Sequence, residues 1–441
     1  MTLRSDDLLR WRSPARRGRR ADRRHACAAV LAVSSLVAAL LAVPALARLA
    51  TAQPEDIGRS LRLPDRPRPH WFWLSDILLH RTALFDGDSG ALLGTISSGS
   101  AGVGFTIFPL FSPDHREIYL AESYYSRGVR GERTDVVTVY DAATLAPLDE
   151  IPIPAQRAEY FPGNAASALS DDGRFVAVFN LTPMTSLSIV DVRARRFTSE
   201  VPAPGCSLVF AAGPRHFFML CANGGALSVT LDDAGRAAQV ERTAPFFDPQ
   251  GDPITEKAVR RGADWLFVSF DGLIHPIDVA GAALTPGEPW SLLDDEDRRD
   301  SWRIGGAQHL AIHRASNRLY VLVHQGGPDS HKAPGSEIWV YDLTSRRRVL
   351  RIPALHPVAS FVGLQMGGSA RGTMARLLRW ALAKTVPHTG VDAILVTQDE
   401  HPVLVAASAM PPVITVHDAL SGDVRREIPE VGIALSLLFA P

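Results

Sequence analysis

The stretch that most constrains this chain is VVTVYDAATLAPLDEIPIP, residues 136–154. Apolar and polar residues alternate up to Tyr140. Asp141 then opens a short turn, and a second extended run follows. The same unit returns around Asp86, Asp191, Asp232, Asp278, Asp342 and Asp418. Each copy reads strand, Asp, tight turn, strand. A carboxylate at that position can accept backbone N–H bonds from the turn and fix the hairpin register. The aspartates are therefore read as structural, not catalytic. Consecutive ones lie 41 to 76 residues apart. Repeats at this spacing, built of strands and turns, point to an all-β fold: a seven-bladed β-propeller of four-stranded blades.

Other strands of the blades are visible. FSPDHREIYLAES, LSDDGRFVAVFN, HRASNRLYVLVH and QDEHPVLVAAS each place a polar turn before an apolar strand. The propeller is expected over residues 81–441, after an N-terminal arm at 53–80. One stretch departs from the strand pattern. Residues 366–388, MGGSARGTMARLLRWALAKTVPH, read as a helical insertion with Leu377, Leu378, Trp380 and Leu382 flanked by Arg376, Arg379 and Lys384. A loop helix covering one end of the propeller and a basic amphipathic docking segment are both open readings.

The first 52 residues differ in kind. Ten arginines and three aspartates fall there, and without them the chain keeps 36 basic and 44 acidic residues. A net acidic remainder argues against a nucleic-acid partner. Arg16, Arg17, Arg19, Arg20, Arg23 and Arg24 form a basic head. The run from Ala26 to Ala47 carries no charge, and Ala50-Thr51-Ala52 offers a small-x-small cleavage site. Residues 1–52 thus read as a signal peptide, with a membrane anchor as the competing reading. Export places the rest of the chain in the periplasm. Cys27 falls in the signal, so Cys206 and Cys221 are the pair left in the mature chain. In an oxidising compartment they are a disulfide candidate; two buried free thiols are the alternative.

A search for chemistry finds little. There is no G-x-S-x-G, no Walker loop and no H-E-x-x-H. His309 and His313 sit on a strand-like run, where a spacing of four builds no compact ligand face. With His275, His324 and His331 they could meet only through tertiary contacts. The acidic run Asp294 to Asp297 reads as a solvated loop or helix start. Two cysteines without histidines at ligand spacing make no zinc site. No catalytic or metal-binding residue is assigned on this chain.

Several stretches go beyond a generic propeller. RGERTDVVTVYDAATLAP at 130–147 resembles the methylamine dehydrogenase heavy-subunit family, which includes the large subunit of aromatic amine dehydrogenase. So do DSWRIGGAQHLAIHRASNRLYVLVHQ at 300–325, VTQDEHPVLVAAS at 396–408 and CSLVFAAGPRHFFMLC at 206–221. The resemblance implies the heavy, cofactor-free subunit of an α2β2 enzyme. Such enzymes oxidise primary amines to aldehyde and ammonia. Their cofactor, tryptophan tryptophylquinone, is made on a separate light chain. Electrons then pass to an amicyanin- or azurin-like cupredoxin or to a c-type cytochrome. One heavy-chain Phe of the family lines the substrate channel, and counting back from Arg130 places it at Phe105. Core packing is the other reading of that residue. The insertion is not part of the family pattern. Two further readings stand beside this one: a binding propeller without a light chain, and a hydrolase propeller with a central metal, for which no converging carboxylates are visible.

Overall fold

A computed structural model describes residues 62–97, 108–159, 165–354, 356–357, 388–410, 412–429 and 431–441. All seven signature aspartates stand at the start of a tight turn that leads from the third to the fourth strand of a blade. Their carboxylates do what the sequence asks of them. Asp141 accepts from the amides of Ala143 (3.0 Å) and Thr144 (2.7 Å). Asp418 accepts from Leu420 (2.9 Å) and Ser421 (3.0 Å), and Asp191 from Arg193 and Ala194. These bonds hold several of the carboxyls below the usual range; at Asp232 the Arg236 amide is the largest cause.

The blades are seven antiparallel sheets arranged as a β-propeller. Blade two runs Leu110–Phe111, Glu117–Tyr125, Arg133–Asp141 and Pro147–Ile153 from inside to outside. Blades three to seven repeat that order. Blade one is built from both ends of the propeller sequence. Trp71–Asp76, Arg81–Asp86 and Leu92–Ser97 form its outer three strands, and Leu435–Phe439 supplies the innermost. Trp73 faces Phe439 and Leu74 faces Leu438. The first blade therefore opens at Trp71, within the stretch expected as an arm. Trp71, Phe72 and Trp73 are all buried, so their apolar character serves the core. Their side chains alternate as a strand requires: Phe72 packs toward blade seven, and Trp71 and Trp73 toward blade two.

The core lies between blades. Separate apolar clusters fill the joints of blades one and two, two and three, five and six, six and seven, and seven and one, and one larger cluster spans blades three to five. The acidic run at 294–297 caps the short helix Asp295–Arg299. Asp294 accepts from the amides of Glu296 and Asp297. Asp297 in turn holds Arg348, whose guanidinium lies 4.0 Å from the Trp339 ring centroid.

The ring closes a second time through a side chain. His70, just before blade one, sits 2.7 Å by Nδ1 from Asp88 of that blade. By Nε2 it sits 3.1 Å from Asp399 in the first turn of blade seven. Burial works against its charge, but Asp88 and Asp399 outweigh it and raise its pKa above 6.5. A raised folded value means stability present in full below the unfolded pKa and lost as pH rises through the folded one. His70→Ala is expected to lower the melting temperature at pH 5.5, a loss of roughly 1 kcal/mol, and to matter little at pH 9. Thermal denaturation at the two pH values checks this; equal losses would show that the latch does not depend on charge.

Candidate partner-docking face

In a four-stranded meander the turns after the second strand and the crossings to the next blade lie at one end of the ring. The turns after the first and third strands lie at the other. The first of these ends gathers the unusual features of this chain. Val129, Leu181, Met184 and Met410, on turns of blades two, three and seven, are exposed there, as is Ile433 on the crossing to blade one. Leu420 is the one exposed large apolar residue on a turn at the opposite end, among the described residues. Exposed apolar side chains on several loops of one end make that end the candidate face for a partner.

The RGERTD stretch anchors this end. Arg133 donates to both oxygens of Asp135 at 2.7 and 2.6 Å, and its Nε also lies 2.6 Å from Glu159. The same Nη2 that reaches Asp135 also donates to the Arg157 carbonyl at 2.8 Å. Arg157 bonds Ser123 (2.8 Å), and Tyr125 donates to Glu159 (2.7 Å). Asp135 and Glu159 are buried. One hairpin of blade two is thereby tied to the crossing into blade three. The sequence motif shows two partners of the network; Arg157 and Glu159 arrive only through the fold.

The WRIGG stretch does something the sequence reading missed. It breaks the inner strand of blade six into Trp302–Ile304 and Leu310–His313, both paired with Arg318–Gln325. Between them Gly305 and Gly306 allow a close crossing. A Cβ on Gly305 would meet His324 Nδ1 at 2.5 Å, and Gly306 has φ +89°. The freed loop bonds outward: the amides of Ala307 and Gln308 donate to the Asp392 carbonyl. Gln308 then spans to blade one, donating to the Leu438 carbonyl (3.1 Å) and accepting from its amide (2.8 Å). The adjacent glycines were the available signal.

Beside this loop lies a second polar group. His309, in the loop rather than on a strand, pairs Nε2 with Thr255 Oγ1 at 2.8 Å. Burial, and then the Lys257 cation, push its pKa down to about 3, so it is neutral at ordinary pH. Glu256 pairs with Lys257. Burial alone would raise the Glu256 carboxyl, but Lys257 holds it below its usual range. His331 stacks on Phe270 with ring centroids 3.7 Å apart. His275, His313 and His324 lie elsewhere: His313 bonds Ser316 and the Asp399 carbonyl, and His324 bonds Ser330. The histidines thus form no shared ligand set. No group of three His, Cys, Asp or Glu side chains able to hold a metal is present among the described residues.

Cys206 and Cys221 are bonded, as the alternation of their strands permits; they face each other across the first two strands of blade four. Arg242 lies 3.0 Å by Nη1 from Cys206 Sγ and donates to the Pro204 carbonyl at 2.7 Å. Phe105, the signal segment at 1–52 and residues 366–387 of the expected helical insertion lie outside the described residues. The insertion leaves the blades through a short two-stranded ladder, His356–Pro357 against His388–Thr389. No described helix is long and apolar enough to cross a membrane.

With Arg133 removed, two buried carboxylates would lose their shared cation. Arg133→Ala is expected to cost about 3 kcal/mol. Arg133→Lys should recover only part of it, because an ammonium cannot fork to both oxygens of Asp135. Denaturant melts of the two variants measure the difference; a Lys variant as stable as wild type would deny the fork its role.

Comparison with known proteins adds to this geometry. The family described as "Methylamine dehydrogenase heavy chain (MADH)" matches residues 78–366. A methylamine dehydrogenase heavy chain of Paracoccus versutus is 27% identical, over 79% of this chain and 73% of its own. One from Methylophilus methylotrophus is 25% identical, over 80% and 78%. Among solved structures, the dihydro-heme d1 dehydrogenase NirN aligns with a TM-score of 0.51 at 16% identity, over 88% of this chain and 79% of its own. A protein from Desulfotomaculum acetoxidans aligns with a TM-score of 0.51 at 13% identity, over 83% and 99%. These two likenesses are of fold alone.

Proposed function

The chain belongs to the methylamine dehydrogenase heavy chain family, and from that premise we propose that it is the heavy subunit of a periplasmic amine dehydrogenase that oxidises primary amines to aldehyde and ammonia. Its part is to hold a light chain that carries tryptophan tryptophylquinone, to wall the substrate channel, and to help seat an electron acceptor, either a cupredoxin or a c-type cytochrome. The carrying observation is the family match over the blades. The gathering of exposed apolar residues on one loop end supports the same reading, because that is the surface a rigid partner would cover. An α2β2 assembly would follow from this pairing. The basic head and apolar run at 1–52, together with the disulfide, support export to the periplasm.

On this reading the chain's own residues shape and position. The Arg133–Asp135–Glu159 network and the Gly305–His309 loop hold the docking surface rigid, so that little ordering entropy is lost when a partner binds. The quinone, when present on the light chain, takes the electrons of the amine. In the sequence Phe105 falls between the strands Leu92–Ser97 of blade one and Leu110–Phe111 of blade two. We assign it the mouth of the substrate channel, where an aromatic ring sorts amines by size and by contact with their charge.

Two experiments test this. Purification of the chain from the periplasmic fraction, followed by a redox-cycling quinone stain of a denaturing gel, should show a small stained band co-purifying with this unstained one. The absence of both quinone and small partner would favour a propeller that binds without catalysing. Replacing Phe105 by Ala should change the ratio of activities on small and aromatic amines by about tenfold, the worth of one aromatic contact. An unchanged ratio would remove Phe105 from the channel.

A further inference from the structure

The end of the ring opposite the docking face opens into the central channel. A cavity of about 570 Å³ lies there, bordered by the first turns of blades two and three. Its wall includes the rings of Phe108, Phe111, Phe210, Trp265 and Phe439. Phe108, Phe111 and Trp265 are only half-buried, so their ring surfaces stand against open space. A side pocket of about 30 Å³ shares Phe111 and His115 with this cavity and runs between blades one and two to Trp71. That volume suits one water or one polar group.

Two side-chain nitrogens of the residues lining the side pocket are without partners. Trp71 is 4% exposed, and its Nε1–H has no acceptor. The buried Nδ1 of His115 has no partner either. Unpaired buried groups of this kind are costly unless something completes them. The larger cavity is lined by few ionisable side chains. Its ionisable lining side chains are His115 and Asp171, and Arg260 holds both oxygens of Asp171 at 2.5 and 2.9 Å. The Trp265 N–H is already spent on the Ala211 carbonyl.

We propose that this cavity is a binding site for a small neutral aromatic alcohol. The ring lies among the channel aromatics. The hydroxyl enters the side pocket, accepts from Trp71 Nε1 and donates to His115 Nδ1, so that one oxygen satisfies both orphaned groups. The site lies at the far end from the docking surface and is independent of it.

Benzyl alcohol and toluene, titrated into the full-length chain by calorimetry, test this. Benzyl alcohol should bind saturably at one site and more tightly than toluene. Trp71→Phe should weaken benzyl alcohol about fivefold, the worth of one hydrogen bond, and leave toluene unchanged. His115→Gly should act in the same direction; glycine suits the left-handed backbone there, φ 58°. It carries the test if the Trp71 variant does not fold. Absence of saturable binding overturns the site. Equal binding of the two probes, unmoved by either variant, also overturns the proposal and leaves a water in the side pocket.

Discussion

Ring closure is the constraint on which the other features rest. Strand Leu435–Phe439 must pair with Trp71–Asp76 before blade one has an inner strand. Until it does, blades one and seven each lack a neighbour, and the apolar clusters at both joints lie open. A propeller buries the face of each blade against the next, so one missing joint exposes two faces. The buried Trp71-Phe72-Trp73 triplet belongs to this closure. His70 adds a charged link across the same seam, at the end where the Asp turns lie.

A rigid ring explains how a chain with so little chemistry of its own can matter to a reaction. The networks at the loop end are internal ties, not catalytic sets. Arg133 joins a hairpin to the next crossing, and the neutral His309 hydrogen-bonds Thr255 from a neighbouring blade. Each tie uses groups that would be expensive to bury singly and inexpensive together. The result is a fixed surface with apolar side chains standing out of it. Such a surface suits the heavy-chain family to which the protein belongs, because it presents contacts without having to be ordered first.

What could be read in the sequence was whatever is local. The Asp at the third strand's end bonds amides two to four residues on, so its job shows in a window of about five residues. The two cysteines face each other across a single hairpin and were legible for the same reason. The RGERTD stretch announced its family but not its role, because Arg157 and Glu159 meet Arg133 through the turn of the chain and not through spacing. His309 and His313 read as one strand-like run, whereas only His313 is on the strand; the loop that frees His309 is set by Gly305 and Gly306 and by bonds to residues distant in sequence. The strand Leu435–Phe439 gave no hint of its partner, whose residues lie some 360 positions earlier. The cavity, with its unpaired Trp71 and His115, has no local signature at all.

The Gln308 amide has a mechanical consequence. Blades six and one are not neighbours; blade seven stands between them. Yet Gln308 grips the backbone of Leu438 from both sides, as a strand would. It is a chord drawn across the wheel rather than a link in its rim. Its backbone meanwhile bonds blade seven: the Gln308 amide donates to the Asp392 carbonyl, and the Gln308 carbonyl accepts from the Ile394 amide. Blade seven is then pinned at the hub: it cannot swing outward without breaking its joints with its neighbours and its own bonds to Gln308.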